Sequence, residues 1–307
     1  MAIVGTGIPT NTSNIQLPND VSDMILQKTQ ESSMVMQLAR QVSLPGSGLQ
    51  IPMITGDPTP EWVSETGVKP VSNPTLDKKV MQGHKLAVVV PFSDEFRRDA
   101  AALYDALIVR LPNVLAKKFD STVFFGPSSG SLANFDNFSA VTAVSMQSSV
   151  YSGLVTADVN INENGGMVNG YVFSPQGRGM LLSALDKQDR PIFIDSVADG
   201  DVPRILGAPT YFTSSAYKAG GQTSASNTSP SPDIVGFAGD WSKAIYGVVQ
   251  GVTINYSSDA TLSYTDALGN PATLNLFQQN MFAVRAEIEV GFVAETDYFN
   301  AFTRTHV

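Results

Sequence analysis

The chain has 307 residues, no cysteine, 43% hydrophobic and only 15% charged residues, and a formal net charge of −9. The absence of cysteine excludes disulfides, thiolate metal sites and a cysteine nucleophile. The negative charge argues against a non-specific nucleic-acid binder, which needs a basic face, and no stretch approaches 18 apolar residues, so no membrane partner is expected. A globular protein usually carries about 25% charged residues, and the shortage here indicates a surface that partners cover.

The N-terminal region predicts an arm followed by a short helix. Residues 1–17 are polar and rich in Thr, Asn and Ile, a composition typical of an extended segment without a core of its own. Helical spacing of apolar residues begins after Pro18 and continues to Arg40. A Pro-Gly-Ser-Gly sequence at 45–48 ends this stretch. We therefore assign residues 1–48 to an arm and a short helix.

Residues 49–92 predict a long hairpin. A first strand begins at Leu49, a polar middle is punctuated by prolines, and a returning strand runs from Leu76 to Val90. Each limb spans roughly 50 Å if fully extended. Because an isolated two-stranded hairpin is marginally stable in water, we expect it to lie on another subunit. A long surface loop is the alternative for this segment.

Residues 94–120 predict one long helix. Ser93 is its candidate N-cap, and apolar residues recur every three or four positions to form a single stripe. Pro112 is expected to kink or split the helix. The Gly126-Pro127 pair is expected to end it.

The second half of the chain predicts a mixed α and β region. Residues 170–173 form a predicted strand, and Ser174-Pro175 begin a helix that continues to Leu185. Apolar residues of one parity indicate further strands at 246–256 and 282–292. The last strand and the long helix each have one apolar face, so they should pack together. The fold class is therefore α+β.

Several local sequences resemble one family. Ile51-Pro52 followed by residues 61–70 (Glu-Trp-Val-Ser-Glu-Thr-Gly-Val-Lys-Pro) is similar to the extended E-loop of tailed-bacteriophage major capsid proteins with the Hong Kong 97 fold. Residues 90–95 resemble the beginning of that family's spine helix, and residues 119–126 resemble its end. Residues 277–280 and the strand after them resemble the return to its peripheral domain.

The resemblance implies a Hong Kong 97-like capsid fold with an N-arm, an extended E-loop hairpin, a long spine helix, and peripheral and axial domains. In this division residues 1–48 are the arm and short helix, and residues 49–92 are the E-loop. Residues 93–134 are the peripheral domain with the spine helix, residues 135–267 are the axial domain, and residues 268–307 return to the peripheral domain.

The resemblance also implies the function of a major capsid protein, which self-assembles into the icosahedral shell of a tailed phage and is not an enzyme. The expected partners are copies of itself in hexamers and pentamers, a separate scaffolding protein, a portal and a decoration protein. Double-stranded DNA would be enclosed without sequence-specific binding. Assembly would take place in the host cytoplasm before the protein resides in the virion, and no cofactor is expected. The alternative within the same fold is an encapsulin-type bacterial compartment, which would copurify with a cargo enzyme.

A remote alternative is a serine hydrolase. Residues 126–130 match the G-x-S-x-G elbow with Ser128 as nucleophile, and His306 follows in a suitable chain order. A helix rather than a buried strand precedes the elbow, however, and no Gly-rich oxyanion segment is present. An ordinary loop is therefore favoured, and no catalytic or metal-binding residue is predicted.

The hairpin and the beginning of the long helix supply the candidate contact residues between subunits. Lys78 and Lys79 are either ordinary solvated surface residues, which is the favoured interpretation, or they meet acidic groups of an adjacent subunit, such as Glu95 or Asp99. Trp62 is either an anchor on a neighbour or an ordinary packed aromatic residue. Some family members crosslink an E-loop lysine, but no motif here indicates crosslinking. The candidates are Trp62, Lys69, Lys78, Lys79, Glu95 and Asp99.

Overall fold

A computed structural model describes most of the chain from Ser32 onward. The described residues are 32–56, 58–65, 67–69, 71–73, 75–93, 100–128, 130–185, 192, 204–221, 231–265 and 270–306. The predicted extended arm and the beginning of the predicted short helix lie outside these residues, as do the candidate contacts Glu95 and Asp99.

The described residues form four helices and fourteen strands, with short 3-10 turns between some of them. The helices are α1 Met34–Leu38, α2 Ala100–Phe125, α3 Val150–Glu163 and α4 Pro175–Leu182. The strands are β1 Arg40–Ser43, β2 Leu49–Gly56, β3 Thr75–Met81, β4 His84–Ser93, β5 Thr142–Ser145, β6 Gly170–Phe173, β7 Arg204–Ile205, β8 Ala208–Phe212, β9 Asp233–Gly239, β10 Ala244–Ser257, β11 Thr261–Thr265, β12 Pro271–Asn275, β13 Met281–Ala294 and β14 Phe299–Arg304. None of the described helices is long and apolar enough to cross a membrane.

One sheet has four strands in the order β1-β10-β13-β4. Buried and exposed side chains alternate along β13, and this alternation decides which face of the strand points to the core. Val284, Ala286 and Ile288 are buried on one face, and Arg285 on the opposite face is exposed. Leu115 of α2 packs in the same apolar cluster as the buried residues. The predicted pairing of the last long strand with the long helix is therefore confirmed.

The second sheet has six strands in the order β5-β14-β9-β6-β8-β7. Its fully buried β6 is the strand predicted before the second helix of the mixed region. That helix is α4, and its predicted cap is confirmed: the Ser174 Oγ accepts from the Gly177 N–H at 3.1 Å and donates to the Val235 carbonyl at 2.9 Å. The helix ends at Leu182 rather than at Leu185.

An aromatic cluster joins the two sheets to the end of α2. The Phe138 ring stacks on Phe299 of β14 with centroids 4.4 Å apart, and it meets Phe292 of β13 edge-on at 5.8 Å. Phe124 of α2 stacks on Phe237 of β9 at 4.8 Å. All these rings are buried. The long helix and both sheets therefore contribute rings to one continuous core.

The long helix departs from the sequence expectation at Pro112. The helical assignment of α2 continues past this residue without a break, so the predicted split is wrong. The proline removes only one backbone hydrogen bond, and the turns after it are held by buried residues such as Phe119 and Val123. The predicted end is confirmed, because Gly126 has a φ of +79° and donates to the Thr122 carbonyl at 2.9 Å.

The predicted returning strand from Leu76 to Val90 is two strands. β3 pairs with β2 to make the hairpin, whereas β4 pairs with β13 in the four-stranded sheet. The chain changes sheets at Gly83, where a side chain would lie 2.5 Å from the Val249 side chain. A second hairpin, β11–β12, was not predicted.

Two strands join a sheet across the bounds of the expected domain division, which stays a prediction. β10 lies within residues 135–267 but joins the four-stranded sheet, and β14 lies within residues 268–307 but joins the six-stranded sheet. Sequence patterns report burial and local structure, but they do not report which sheet a strand joins.

The aromatic cluster predicts which substitution destabilises the fold strongly. Phe138→Ala should lower the free energy of unfolding by about 3–5 kcal/mol, because it removes a ring that contacts both sheets and leaves a cavity. Phe277→Ala is the matched control, since Phe277 is 74% exposed. Urea unfolding of the isolated subunit measures both, and equal losses would contradict this account of the core.

Candidate inter-subunit surface

The tip of the β2–β3 hairpin presents apolar side chains to solvent. Trp62, Val68 and Val71 are exposed to 105%, 95% and 90% of their reference areas. Local hydrogen bonds connect the two limbs, as where the Thr59 N–H donates to Ser72 Oγ at 2.9 Å. Tryptophan is among the residue types that most often anchor a protein interface. The described part of this chain therefore leaves the tip available for another molecule.

The base of the hairpin is fixed to its own subunit. The Lys79 ammonium donates to the Asp136 carboxylate at 2.7 Å and to the Ala294 carbonyl at 2.6 Å. The same carboxylate oxygen accepts from the Ala294 N–H at 3.0 Å. One carboxylate and one ammonium thus connect β3, the segment after α2, and the end of β13.

The Lys79 ammonium is bound within its own chain, because β3 brings Lys79 to Asp136 at the base of the hairpin. Its contact with an adjacent subunit stays a prediction. Lys78 and Lys69 are exposed, and both remain predicted contact residues. Exchanging Lys78 and Lys79 together for Glu would place a second carboxylate beside Asp136, so such a variant would not test a subunit contact alone.

A buried carboxyl connects α1 to the long helix. Asp120 of α2 accepts hydrogen bonds from the Ser33 hydroxyl, from the Met34 N–H at 3.0 Å and from the Val35 N–H at 3.4 Å. Burial raises the pKa of Asp120 to about 6, although the three hydrogen bonds act in the opposite direction. The first described residues are therefore attached to the long helix through a group that titrates well above an ordinary Asp.

A second buried carboxylate holds the end of β14. Asp233 accepts from Arg304 Nε at 3.0 Å, from the Gly220 N–H at 2.7 Å and from the His306 ring. Burial alone would raise the pKa of Asp233, but these hydrogen bonds and one from Tyr217 lower it to about 2. The ionised form is therefore the stable one at neutral pH.

The two residues of the hydrolase alternative have separate partners. The Ser128 hydroxyl accepts from Lys118 Nζ at 2.9 Å, and the small cavity beside it is lined by His84 rather than His306. His306 instead contacts Asp233. Among the described residues, no group of three His, Cys, Asp or Glu side chains could hold a metal ion.

Sequence reasoning missed the carboxylates that organise these contacts. Nothing in the pattern around Asp136 or Asp233 marks them, because most of their partners lie far away along the chain. Asp120 lies within residues 119–126, which resemble the end of a spine helix. The resemblance marks this position, but it does not predict the hydrogen bond that Asp120 accepts from Ser33.

A helix-backed sheet, a six-stranded second sheet and a hairpin with an exposed tip make up the α+β architecture that is expected of a Hong Kong 97-like capsid fold. The sequence matches the phage capsid family over residues 14–303. The chain therefore belongs to that family, and it is a structural subunit of the icosahedral shell of a tailed phage.

Named relatives agree with this assignment. The chain is 25% identical to the "Probable major capsid protein gp17" of Mycobacterium phage D29 over 289 residues, which cover 90% of this chain and 85% of the relative. It is 24% identical to the "Major capsid protein" of Staphylococcus phage 80alpha over 283 residues, which cover 89% of this chain and 80% of the relative.

Solved structures share the fold at lower identity. A chain from Gordonia phage Cozz superposes with a TM-score of 0.69 at 19% identity, with 90% of this chain and 87% of that chain covered. A chain from Microbacterium phage Oxtober96 gives 0.68 at 18% identity, with 98% and 96% covered. The predictions of the fold class, the family and the shell function are confirmed.

The Asp120 carboxyl predicts a pH dependence of stability. Its pKa is about 6 in the folded chain against an ordinary value of 3.8, so the folded state holds the proton more tightly. The contribution of Asp120 to the free energy of unfolding is therefore greatest below pH 4. It falls by about 3 kcal/mol as the pH rises from 4 through 6. Urea unfolding of the wild type and of Asp120→Asn should show this decline only in the wild type. The exposed Asp259→Asn is the control, and a decline that persists in Asp120→Asn would refute the assignment.

The Lys79 contact predicts a looser hairpin base in Lys79→Met. This variant keeps the length of the side chain but removes the charge, and the loss should be about 1 kcal/mol because the pair is partly exposed. Hydrogen exchange of the amides of residues 75–81 should become faster. Lys69→Met is the control for removing an exposed hairpin lysine, and identical exchange in the two variants would show that the Lys79 contact is unimportant.

Proposed function

We propose that the chain assembles into hexamers and pentamers through its hairpin and its N-terminal arm, and that these close around double-stranded DNA. The observation that supports this most directly is the fully exposed Trp62 on a hairpin held at its base by Lys79. Full burial of such a side chain contributes roughly 2–3 kcal/mol. Repeated at each subunit, a contact of this size adds to the other weak contacts that together close a shell.

The charge of the chain supports enclosure of DNA without binding to its sequence. The formal net charge is −9, whereas a protein that holds DNA directly neutralises phosphates with many lysines and arginines. In our proposal the shell confines the DNA, and a scaffolding protein and a portal set the size of the particle. A decoration protein is a further proposed partner, and assembly takes place in the host cytoplasm.

We also propose a revised division of the chain. Residues 49–83 form the E-loop, because β4 follows Gly83 and pairs in the four-stranded sheet. The peripheral domain then contains the four-stranded sheet with α2, and the axial domain contains the six-stranded sheet. The chain consequently crosses between the two domains more often than the division expected from the sequence.

The alternatives make different predictions about content and chemistry. An encapsulin-type compartment should copurify with a cargo enzyme, whereas a phage shell should contain nuclease-protected DNA when produced with its packaging partners. The protein is proposed to have no catalytic function. Ser128→Ala should therefore leave any esterase background unchanged, and a loss of such activity would favour the hydrolase.

The exposed tip predicts an assembly defect that does not affect folding. Trp62→Ala should reduce the yield of shells by about tenfold, the equivalent of 1.4 kcal/mol, because it removes the apolar anchor. Trp62→Phe should retain most of the yield, and neither variant should change urea unfolding of the free subunit. Negative-stain electron microscopy, with and without a scaffold, measures the yield. Unchanged assembly of Trp62→Ala would contradict the proposed role of the tip.

A further inference from the structure

Between positions 110 and 125, the exposed face of α2 carries charges of one sign. Arg110, Lys117 and Lys118 are exposed. Their spacing of seven or eight residues, which is about two helical turns, places all three on one side of the helix. The only acidic residue in this part of α2 is Asp120, and it is buried on the side that faces the core. The exposed side of the helix is therefore positively charged.

A fourth cation extends this row beyond the end of α2. The exposed Lys218 places its ammonium 5.7 Å from the centre of the Phe125 ring. Phe125 is the last residue of α2, and it lies two turns beyond Lys118 on the same side of the helix. From Arg110 to Phe125 the helix rises about 22 Å. We refer to this row of cations as the basic stripe, and its members are Arg110, Lys117, Lys118 and Lys218.

The charges of the basic stripe are not neutralised within the described part of the chain. None of its four cations pairs with a described carboxylate, because the ion pairs there join other side chains. The Lys118 ammonium donates to a neutral group, the Ser128 hydroxyl, at 2.9 Å. On the opposite face of the four-stranded sheet, in contrast, Arg285 Nε lies 3.5 Å from the Glu287 carboxylate. The helix side of this layer therefore keeps a positive charge that its partners do not cancel.

The formal net charge of −9 does not prevent this face from attracting an anion. The net charge is a sum over the whole chain, whereas salt screens the interaction of exposed charges beyond about 8 Å at physiological ionic strength. A partner that approaches α2 therefore responds mainly to the basic stripe. The sequence alone does not show this face, because Lys218 joins the other three cations only through the fold.

The basic stripe fits an extended polyanion better than a protein partner. Among the described side chains of α2, Val114 is the one large apolar group that is exposed, whereas protein interfaces are usually anchored by several apolar and aromatic residues. Duplex DNA carries one negative charge for each ~1.7 Å of its axis, so about 22 Å of helix faces roughly 13 phosphates. A row of cations matches such a rod along its length.

We propose that the exposed face of α2 lines the inside of the shell and that the basic stripe contacts the phosphates of the enclosed duplex. Phosphate contacts carry no sequence information, so they agree with enclosure that is not sequence-specific. Four contacts hold DNA weakly at one subunit, and the shell multiplies them. This inference rests on the proposed function and deepens it, because it names the surface that meets the DNA.

The salt dependence of DNA binding tests the basic stripe in the free full-length chain. The probe is a fluorescein-labelled duplex of about 30 base pairs, and its anisotropy is measured between ~50 and ~200 mM NaCl. With four phosphate contacts, the wild type should lose affinity by about 150-fold over this range. The double variant Arg110→Gln, Lys117→Gln retains two contacts and should lose affinity by only about 12-fold.

A matched variant controls for the overall loss of two positive charges. Lys69→Gln, Lys85→Gln removes exposed lysines of the hairpin and of β4, and it should keep the wild-type salt dependence. Neither double variant should change urea unfolding, since all four side chains are exposed. The inference is overturned if the wild type does not bind at the lowest salt concentration, or if both double variants behave alike. It is also wrong if the stripe variant weakens binding of a purified scaffolding protein but not of the duplex.

Lysine acetylation tests the orientation of α2 in assembled particles. DNA-filled and empty wild-type particles are treated with sulfosuccinimidyl acetate, and the modified residues are identified by mass spectrometry. Acetylation of Lys117, Lys118 and Lys218 should be severalfold slower in filled particles, whereas acetylation of Lys69 and Lys85 should be the same in both. Raising the salt concentration during labelling should remove the difference, because phosphate contacts are screened by salt.

The outcomes of the particle experiment separate this inference from the proposed function. Equal acetylation of the basic stripe in filled and empty particles would overturn the inference alone. Protection that salt does not reduce would also overturn it, since DNA would then exclude the reagent without contacting the stripe. The absence of particles from the wild type would refute the proposed function as well.

Discussion

The contact of Phe138 with both sheets is the constraint on which the rest of the fold depends. Phe138 lies in the segment between α2 and β5, and its ring stacks on Phe299 while meeting Phe292 edge-on. Because one ring touches a strand of each sheet, neither sheet can rotate without losing apolar contact. Protein interiors are close-packed, so this cluster fixes the two layers as a single unit. The hairpin, whose tip contributes nothing to that core, projects from a rigid base.

The chain alternates between the two sheets, and this alternation explains where sequence reasoning succeeded. Strands with one buried face, such as β13, and helices with clear caps, such as α4, were predictable because their signals are local. The helix end at Gly126 was predictable for the same reason, since a glycine with positive φ closes the last turn. The family was recognisable from short segments around Trp62 and at the ends of α2.

The remaining features depend on contacts between distant parts of the chain. The change of sheet at Gly83 follows from its close approach to Val249, and the attachment of Lys79 to Asp136 joins residues 57 positions apart. No periodicity encodes such a contact. Pro112 shows the converse case, in which a strong local signal predicts a break and the packing of the following turns keeps the helix continuous.

The attachment of the hairpin at Lys79 has a mechanical consequence. In the proposed shell, the hairpin is a lever that pivots at Asp136 and is loaded at Trp62, and the limb from Leu49 to the tip is about 40 Å long if extended. On a lever of that length, a rotation of about 5° at the pivot displaces the tip by about 3 Å. In that proposed arrangement, a small adjustment of the ion pair between Lys79 and Asp136 changes the angle at which neighbouring subunits meet, and this angle distinguishes a flat six-fold arrangement from a curved five-fold one.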